Sequence, residues 1–373
     1  MTLSRDEILR YSRHLSLPEV SLEGQERLKA ARVLCVGAGG LGSPLTLYLA
    51  AAGVGTIGIV EFDDVDLTNL QRQVLYATAD VGRPKLEVAV ERLHGINPSI
   101  RIVPHALRLS ADNVMDVIGG YDVVADGTDN FPTRYLVNDA CVIAGKPNVY
   151  ASIFRFDGQV SVFDATRGPC YRCLFPEPPP PGMVPSCAEG GVLGVLPGIV
   201  GSLQALEVIK LVLGKGDPLV GRLVLFDALG FTFREIAVRK DPACPVCGAS
   251  ATITVPRDMP EACEPAELPP TIAVEELDAR RRAGERFVLL DVREPFEYDI
   301  ATIPGATPFP LSELPGRLGE LDPDRPYVLS CHHDGRSRHA AALMRRAGFT
   351  RLTVLVGGID AWARKIDPSM PRY

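Results

Sequence analysis

The sequence predicts an α/β protein built as a mixed sheet with helices on both faces, followed by a smaller α/β domain. Three observations carry this expectation. Short β-branched runs alternate with helical patterns through residues 33–151, the signature of a mostly parallel sheet. The first of those runs breaks into Gly37-Ala-Gly-Gly-Leu-Gly42 and re-enters a helix. A stretch rich in Pro, Glu and Ala and without periodicity, 249–270, then separates a second set of strand and helix signals at 271–373. The expected domains are therefore 1–248 and 271–373, joined by a 249–270 linker.

Taken in order, residues 1–30 read as helical and polar, with Arg10, Arg13 and His14 beside a Leu/Tyr face. Strands follow at Val33–Val36, Thr56–Val60, Ile100–His105, Asp122–Ala125 and Pro147–Ala151, with helices at Leu41–Ala52, Pro84–Leu93 and Phe131–Ala144 between them. Phe156-Asp-Gly-Gln-Val160 reads as a turn between two strands, which continues the sheet with antiparallel members. Beyond Cys170-Tyr-Arg-Cys173, the proline-rich loop 176–185 excludes helix and inner strand. A helix at Ile199–Leu213, a strand pair around Leu223–Val238 and Cys244-Pro-Val-Cys247 close the first domain. The second domain starts with helix Val274–Ala283 and strand Phe287–Leu290, which leads into Asp291-Val-Arg-Glu-Pro295. Strand Tyr327–Ser330 runs into Cys331-His-His-Asp-Gly-Arg336 and a helix over Ser337–Ala347. A strand at Leu352–Leu355 and a helix through Trp362 end it.

Bulk properties narrow the function. A chain of 373 residues that is 46% hydrophobic can bury more than one core. A net charge of -7 argues against a general nucleic-acid partner. No apolar run reads as long enough to span a bilayer, and Met1-Thr-Leu-Ser-Arg-Asp-Glu7 lacks the regions of a signal peptide. The expectation is a cytoplasmic enzyme with no membrane partner. The nine cysteines, an odd number with two Cys-x-x-Cys pairs, favour metal and thiol chemistry over a disulfide framework.

The glycines Gly37, Gly39 and Gly42 fit a phosphate-binding turn, and Glu61 at the end of the next strand fits an acid that grips ribose hydroxyls. Those residues alone leave a nicotinamide-dependent oxidoreductase open. Asp63, Thr68-Asn-Leu-Gln-Arg72 and Arg83-Pro-Lys85 add cations and an amide beyond the second strand, as a triphosphate requires. Asp122-Val-Val-Ala-Asp-Gly-Thr-Asp-Asn130 places carboxylates at the carboxyl end of the fourth strand, where Mg²⁺ could be held against phosphate oxygens. Cys170, Cys173, Cys244 and Cys247 have the spacing of a structural Cys₄ zinc site, expected to pin the strand pair to helix Ile199–Leu213. Cys187 sits in a glycine- and proline-flanked segment suited to a mobile nucleophile. Cys35 and Cys141 read as core. Cys331 opens a loop feeding a helix N-terminus, where loop N–H groups, the helix dipole, Arg336 and Arg338 would favour a thiolate.

Together, Gly37-Ala-Gly-Gly-Leu-Gly42, Thr68-Asn-Leu-Gln-Arg72, Lys85, Thr128-Asp-Asn130 and the two Cys-x-x-Cys pairs resemble the MoeB/ThiF-type sulfur-carrier adenylyltransferases of the ubiquitin-activating superfamily. The short Cys331-to-Arg336 loop, Asp291-Val-Arg-Glu-Pro-Phe-Glu-Tyr298 and Ile303-Pro-Gly-Ala306 resemble a rhodanese domain, as in the MoeZ and molybdopterin-synthase sulfurylase type. Phosphatases of related fold place one more residue in that loop, and the family's Gly-His is Ala301-Thr302 here.

The resemblance implies a Rossmann-like first domain that uses ATP and Mg²⁺ to adenylate the C-terminal Gly-Gly of a small ubiquitin-like sulfur carrier. It implies that Cys331 then delivers sulfur as a persulfide. It gives cofactor-binding roles to Gly40, Glu61, Thr68, Asn69, Leu70, Gln71, Arg72, Lys85, Asp129 and Asn130. Asp129 would hold Mg²⁺, Cys187 would form a thioester, and Arg13 would reach into the site of a neighbouring subunit, hence a homodimer. A persulfide donor such as a cysteine desulfurase is implied as a second partner. Carriers for molybdenum cofactor, thiamine, cysteine and tRNA thiolation all present Gly-Gly. A non-catalytic docking scaffold, the remaining alternative, is disfavoured by the intact Arg72, Lys85 and Asp129.

Overall fold

The computed structural model describes residues 2–179, 191–259 and 269–373. Cys187 lies outside the described residues. The chain forms two compact units, the first holding described residues 2–178 and 191–259 and the second 269–373.

In the first unit, helices α1 (Arg5–Arg10), α2 (Ser12–Leu15) and α3 (Ser21–Ala30) precede strand β1 (Arg32–Val36). Then come α4 (Gly42–Ala52), β2 (Thr56–Val60), α5 (Lys85–Ile96), β3 (Arg101–His105), α6 (Val114–Gly119), β4 (Val123–Asp126), α7 (Phe131–Ala144) and β5 (Asn148–Phe154). The unit closes with β6 (Asp157–Phe163), α8 (Tyr171–Leu174), α9 (Val195–Leu213), β7 (Arg222–Asp227) and β8 (Thr232–Ala237). The eight strands are ordered β3-β2-β1-β4-β5-β6-β7-β8. Pairing is parallel from β3 to β5 and antiparallel from β5 to β8. The expected mixed sheet is thus present.

Alternation along β1 builds a core on each face. Val33 and Cys35 pack with Leu28 of α3, Leu45 and Leu49 of α4 and Ala205 and Val208 of α9. Leu34 and Val36 pack with Ile118 of α6 and with Leu136 and Cys141 of α7. Cys35 and Cys141 are buried, and burial raises both thiol pKa values, Cys35 to about 12.

One helix departs from the expectation that no run could span a bilayer. Val195–Leu213 is long and apolar enough to do so by length and composition. In this fold it is an internal helix against α4 and β5. Its Gln204 donates through Nε2 to the Asp126 and Val149 carbonyls, both at 2.8 Å, tying it to the sheet.

The second unit runs β9 (Thr271–Ile272), α10 (Val274–Arg282), β10 (Val288–Asp291), α11 (Pro295–Tyr298) and β11 (Thr307–Pro308). It continues with α12 (Leu314–Arg317), β12 (Tyr327–Ser330), α13 (Gly335–Arg346), β13 (Leu352–Leu355) and α14 (Gly358–Lys365). Its five strands are parallel in the order β11-β10-β12-β13-β9. Leu290, Leu329 and Val354 face one core, and Leu289, Val328 and Leu355 the other. The central strand β12 therefore carries Cys331 out at its carboxyl end.

Candidate active site

In the first sheet, β1 is followed outward by β2 and β3 on one side, while β4 and β5 lie on the other. The loops leaving β1 and β4 thus diverge and open a crevice, the place where such sheets bind ligands. The glycine turn makes it possible. Gly37 has φ +89°, and a Cβ on Gly42 would lie 2.1 Å from the Gly37 carbonyl oxygen. Tyr76 donates to the Ala38 carbonyl at 2.9 Å and holds the turn from below.

The crevice is a cavity of about 230 Å³ whose wall includes Gly37, Gly39, Gly40, Glu61, Asp63, Asn69, Arg72, Lys85, Asp129 and Asn130. Arg72 donates to the Thr68 carbonyl at 3.1 Å and, at 3.0 Å, to Asn69 Oδ1, which also accepts from Gln73 at 3.0 Å. Lys85, 5% exposed, reaches Asp63 Oδ2 at 3.3 Å. The Glu61 carboxylate is held by backbone N–H groups, Oε2 by Ala38 at 3.0 Å and Oε1 by Phe62 and Asp63 at 2.9 and 3.1 Å. Oε2 keeps acceptor capacity toward the cavity. Asp129 is exposed at the mouth, and Asn130 spends its Oδ1 on the Thr133 N–H, capping α7.

Three residues of the Thr68–Arg72 run are not part of the wall. Thr68 bonds Asp66, Leu70 packs on the core and Gln71 is exposed. A short 3₁₀ turn over Leu67–Asn69 turns only the second and last residues of the run, Asn69 and Arg72, to the cavity. Arg13 is exposed on α2 and lines no part of the crevice of its own chain.

Conversely, Gln73, Arg108 and Arg134 line the cavity without having been singled out from the sequence. Arg134 donates to the Thr128 carbonyl at 2.8 Å and to Ser152 Oγ at 2.9 Å, bracing the loop after β4. Asp126 beneath it is fully buried, and burial pushes its carboxyl up against the opposing pull of Arg134 and Thr128. The i+4 spacing of Asn130 and Arg134 on a helix beginning at the loop was the available signal.

The sulfur atoms of Cys170, Cys173, Cys244 and Cys247 all lie within 4.8 Å of one another. Pair distances of 3.9, 3.6 and 3.3 Å bracket the edge of about 3.8 Å that a tetrahedron with Zn–S bonds of about 2.3 Å requires. Four thiolates this close would repel one another, so they need a cation to coexist. The donor set fits zinc. The cluster is braced differently from the sequence expectation. It packs on Val142 of α7, not on α9. Arg172 of α8 forms a buried two-point pair with Asp139 of α7 at 2.7 and 2.8 Å, and Asn138 accepts from the Tyr171 N–H at 2.8 Å.

In the second unit, the loop 331–334 joins β12 to α13. The carbonyls of Cys331 and His332 accept from the Ile359 and Asp360 N–H groups at 2.9 and 3.1 Å. A Cβ on Gly358 would lie within 2.6 Å of the carbonyl oxygens of residues 331, 332 and 333. With its carbonyls turned to α14, the loop offers its N–H groups to Cys331 Sγ, which also accepts from Ser337 Oγ at 3.1 Å. The expected thiolate is corrected here. Burial raises the Cys331 thiol above its ordinary value, and the Ser337 hydroxyl, loop N–H groups and Arg336 do not offset it. Burial is the largest cause, and the arginines the sequence brings near are already engaged: Arg336 is bound by Glu297 at 2.5 and 2.8 Å and Arg338 by Asp334 at 3.0 Å. Ala301-Thr302 is accommodated, with Ala301 accepting from Arg293 at 2.9 Å and Thr302 donating to the Tyr298 carbonyl at 3.0 Å.

Comparison with known proteins agrees with both units. Residues 11–246 match the ThiF family, and residues 273–365 match the rhodanese-like domain. The chain is 50% identical over 387 aligned positions to the probable adenylyltransferase/sulfurtransferase MoeZ of Mycobacterium tuberculosis, covering 100% of this chain and 96% of the relative. It is 44% identical over 406 positions to the adenylyltransferase and sulfurtransferase MOCS3 of Mus musculus, covering 100% and 88%. A sulfur carrier protein adenylyltransferase of Thermus thermophilus is 56% identical over 257 positions, covering 68% of this chain and 95% of the relative. Among solved structures, E. coli MccB with ATP aligns at a TM-score of 0.55 and 25% identity over 64% of this chain and 73% of that one.

Proposed function

The chain belongs to the ThiF family, and from that premise we propose that its first unit adenylates the C-terminal Gly-Gly of a small ubiquitin-like sulfur carrier while its second supplies the sulfur. It is an adenylyltransferase and a sulfurtransferase, as its full-length relatives are. The division of labour follows the domains expected at 1–248 and 271–373. The observation that carries the reading is the convergence of Arg72, Lys85 and Asp129 on one cavity at the switch point of the sheet.

The carrier carboxylate attacks the α-phosphorus of ATP, and pyrophosphate leaves with the bonding pair. Little covalent work falls to the protein. Arg72, hydrogen-bonded to neutral oxygens in its own loop, and Lys85 neutralise the triphosphate while the glycine turn positions it. Glu61 turns its Oε2 toward the ribose. Asp129, an exposed carboxylate at the mouth, would hold Mg²⁺ and so screen phosphate charge; its oxygen donors suit that hard ion. Cys170, Cys173, Cys244 and Cys247 would hold zinc, which would brace this part of the unit. Arg13, exposed and away from its own crevice, would be available to the crevice of a second copy in a homodimer.

Sulfur arrives on Cys331 from a persulfide donor. The terminal sulfur of the persulfide attacks the carrier's acyl carbon and AMP leaves. A second thiol then attacks Cys331 Sγ, forming a disulfide with it as the sulfur–sulfur bond to the acyl group breaks and the carrier thiocarboxylate leaves. The loop N–H groups around Cys331 stabilise the anionic sulfur, since the paired Arg336 supplies no net charge. Cys187 is the candidate for a thioester with the carrier.

Two variants test the scheme. Asp129→Ala should lower carrier-dependent ATP–pyrophosphate exchange by about two to three orders of magnitude. Cys331→Ser should keep exchange while the carrier no longer gains the mass of one sulfur-for-oxygen replacement. Full exchange in the first variant, or a mass gain in the second, would remove that residue from its role.

A further inference from the structure

Cys331 is 1% exposed, although a sulfur donor and an acyl adenylate must each touch its Sγ. Something beside it has to move. The segment after α14 is the part of its surroundings fastened without sheet or helix, since residues 371–373 belong to no element. The Tyr373 ring stacks on the imidazole of His332, the residue next to Cys331, with centroids 4.5 Å apart and planes 22° apart. The Tyr373 hydroxyl accepts from Arg293 at 2.5 Å and donates to Glu297 Oε1 at 3.1 Å. Glu297 is the carboxylate that holds Arg336, which opens α13 at the other end of the loop. Arg372 bonds Asp360 Oδ1 at 2.8 Å, and the Asp360 N–H holds the His332 carbonyl. Two consecutive side chains thus clip both ends of the loop that carries the sulfur.

We propose that Arg372 and Tyr373 form a latch over the Cys331 loop, closed in this structure and released when a sulfur donor or the adenylated carrier docks. The inference rests on Cys331 being the sulfur-transfer residue. Its physical content, access to the thiol, is independent of that reading. Tyr373 is well suited to the part. Its ring supplies stacking that any aromatic residue could keep, and its hydroxyl reports to the buried Glu297–Arg336 pair. A partner that displaces the ring breaks no backbone hydrogen bond of the sheet.

The test uses the full chain. Carbamidomethylation of Cys331 by iodoacetamide is followed by mass spectrometry of the peptide that contains it. Tyr373→Ala, which loses stack and hydroxyl, should react about tenfold faster than the unaltered chain. Tyr373→Phe, which keeps the ring, should fall between. The acceleration should be insensitive to low urea, as expected when only the segment opens. Equal rates in all three proteins would overturn the latch. So would an acceleration that climbs steeply with urea, because the whole unit would then be loosening. Should the rates follow the expected order while Cys331→Ser still yields thiocarboxylate, the latch stands and the sulfur-transfer assignment of Cys331 falls.

Discussion

Glu297→Gln removes the charge that neutralises Arg336, and its consequences can be worked from the geometry. The two side chains are 4% and 9% exposed, so the guanidinium would lose a buried counter-charge in low-dielectric surroundings. Glu297 accepts four hydrogen bonds: from Arg336 at 2.5 and 2.8 Å, from the Glu294 N–H at 2.9 Å and from Tyr373 at 3.1 Å. Unit charges about 4 Å apart at an effective dielectric near 20 attract by about 4 kcal/mol. Breaking a buried pair by removing one partner costs about 3–5 kcal/mol. Glutamine keeps one acceptor oxygen and turns its amide against guanidinium donors, so a loss of about 3 kcal/mol is expected.

The chain has one tryptophan, Trp362, buried in the second unit, so its fluorescence during urea unfolding reports on that unit alone. With a slope of about 1–3 kcal/mol per molar urea, the midpoint should fall by about 1–3 M. The acid limb should change as well. Burial pushes the Glu297 carboxyl up, but hydrogen bonds from Arg336 and Glu294 outweigh it, and the net pKa lies below the ordinary 4.5. A carboxyl depressed on folding contributes stability that is complete above its unfolded value and is lost as pH falls through the folded one. Glu297→Gln should therefore flatten the loss of stability below about pH 4.5. Arg336, no longer neutralised by Glu297, should also shift the Cys331 alkylation profile to lower pH. An unchanged urea midpoint, or an acid limb identical to that of the unaltered chain, would refute the reasoning.

The remaining predictions concern the first unit. Atomic absorption should find one zinc ion per chain, and Cys244→Ser should lose it. The thermal transition of the first unit should then fall while the Trp362 urea transition of the second stays put; a normal metal content in that variant would discard the cluster as a zinc site. Gly42→Ala would set a Cβ 2.1 Å from the Gly37 carbonyl oxygen, forcing the turn open. Calorimetry should show ATP affinity reduced at least tenfold, a loss of about 1.4 kcal/mol or more. Affinity equal to that of the unaltered chain would mean that the turn does not set the site.

Much of the fold was legible because its signals are local. The run Val33–Val36, the glycine turn and the helix after it declare a strand, a crossing and a phosphate site within twenty positions, and the structure builds them in that register. The residues missed at the crevice are those whose role depends on packing between elements. Arg134 reads in sequence as an ordinary helical cation, and only the approach of α7 to Ser152 on β5 turns it into a brace. The bracing of the cysteine cluster by α7 is equally non-local, since Arg172 and Asp139 are 33 positions apart. The run Thr68–Arg72 shows the reverse error. Adjacency in sequence reads as one binding segment, but the 3₁₀ turn sends consecutive side chains in different directions.

Pairing, not the mere presence of cations, distinguishes the two sites. In the crevice, Arg72 is bonded to a carbonyl and an amide oxygen, and Lys85 shares one contact with an Asp63 that is itself more than half exposed. Their positive charge is left for an incoming polyanion, which suits a reaction that must gather and neutralise a triphosphate. Around Cys331, the cation nearest in sequence is spent on a buried carboxylate, and a second ion pair, Arg293 with Asp291, lies beneath the same hydroxyl that holds the latch. A phosphate would find both of those arginines already paired. A sulfur anion, singly charged and polarizable, needs only the loop N–H groups that the carbonyl contacts to Gly358 and α14 have turned inward. The same α/β strategy, a loop at the carboxyl end of a central strand leading into a helix, therefore serves nucleotide chemistry in one unit and sulfur chemistry in the other, and the difference lies in which arginine already has a partner.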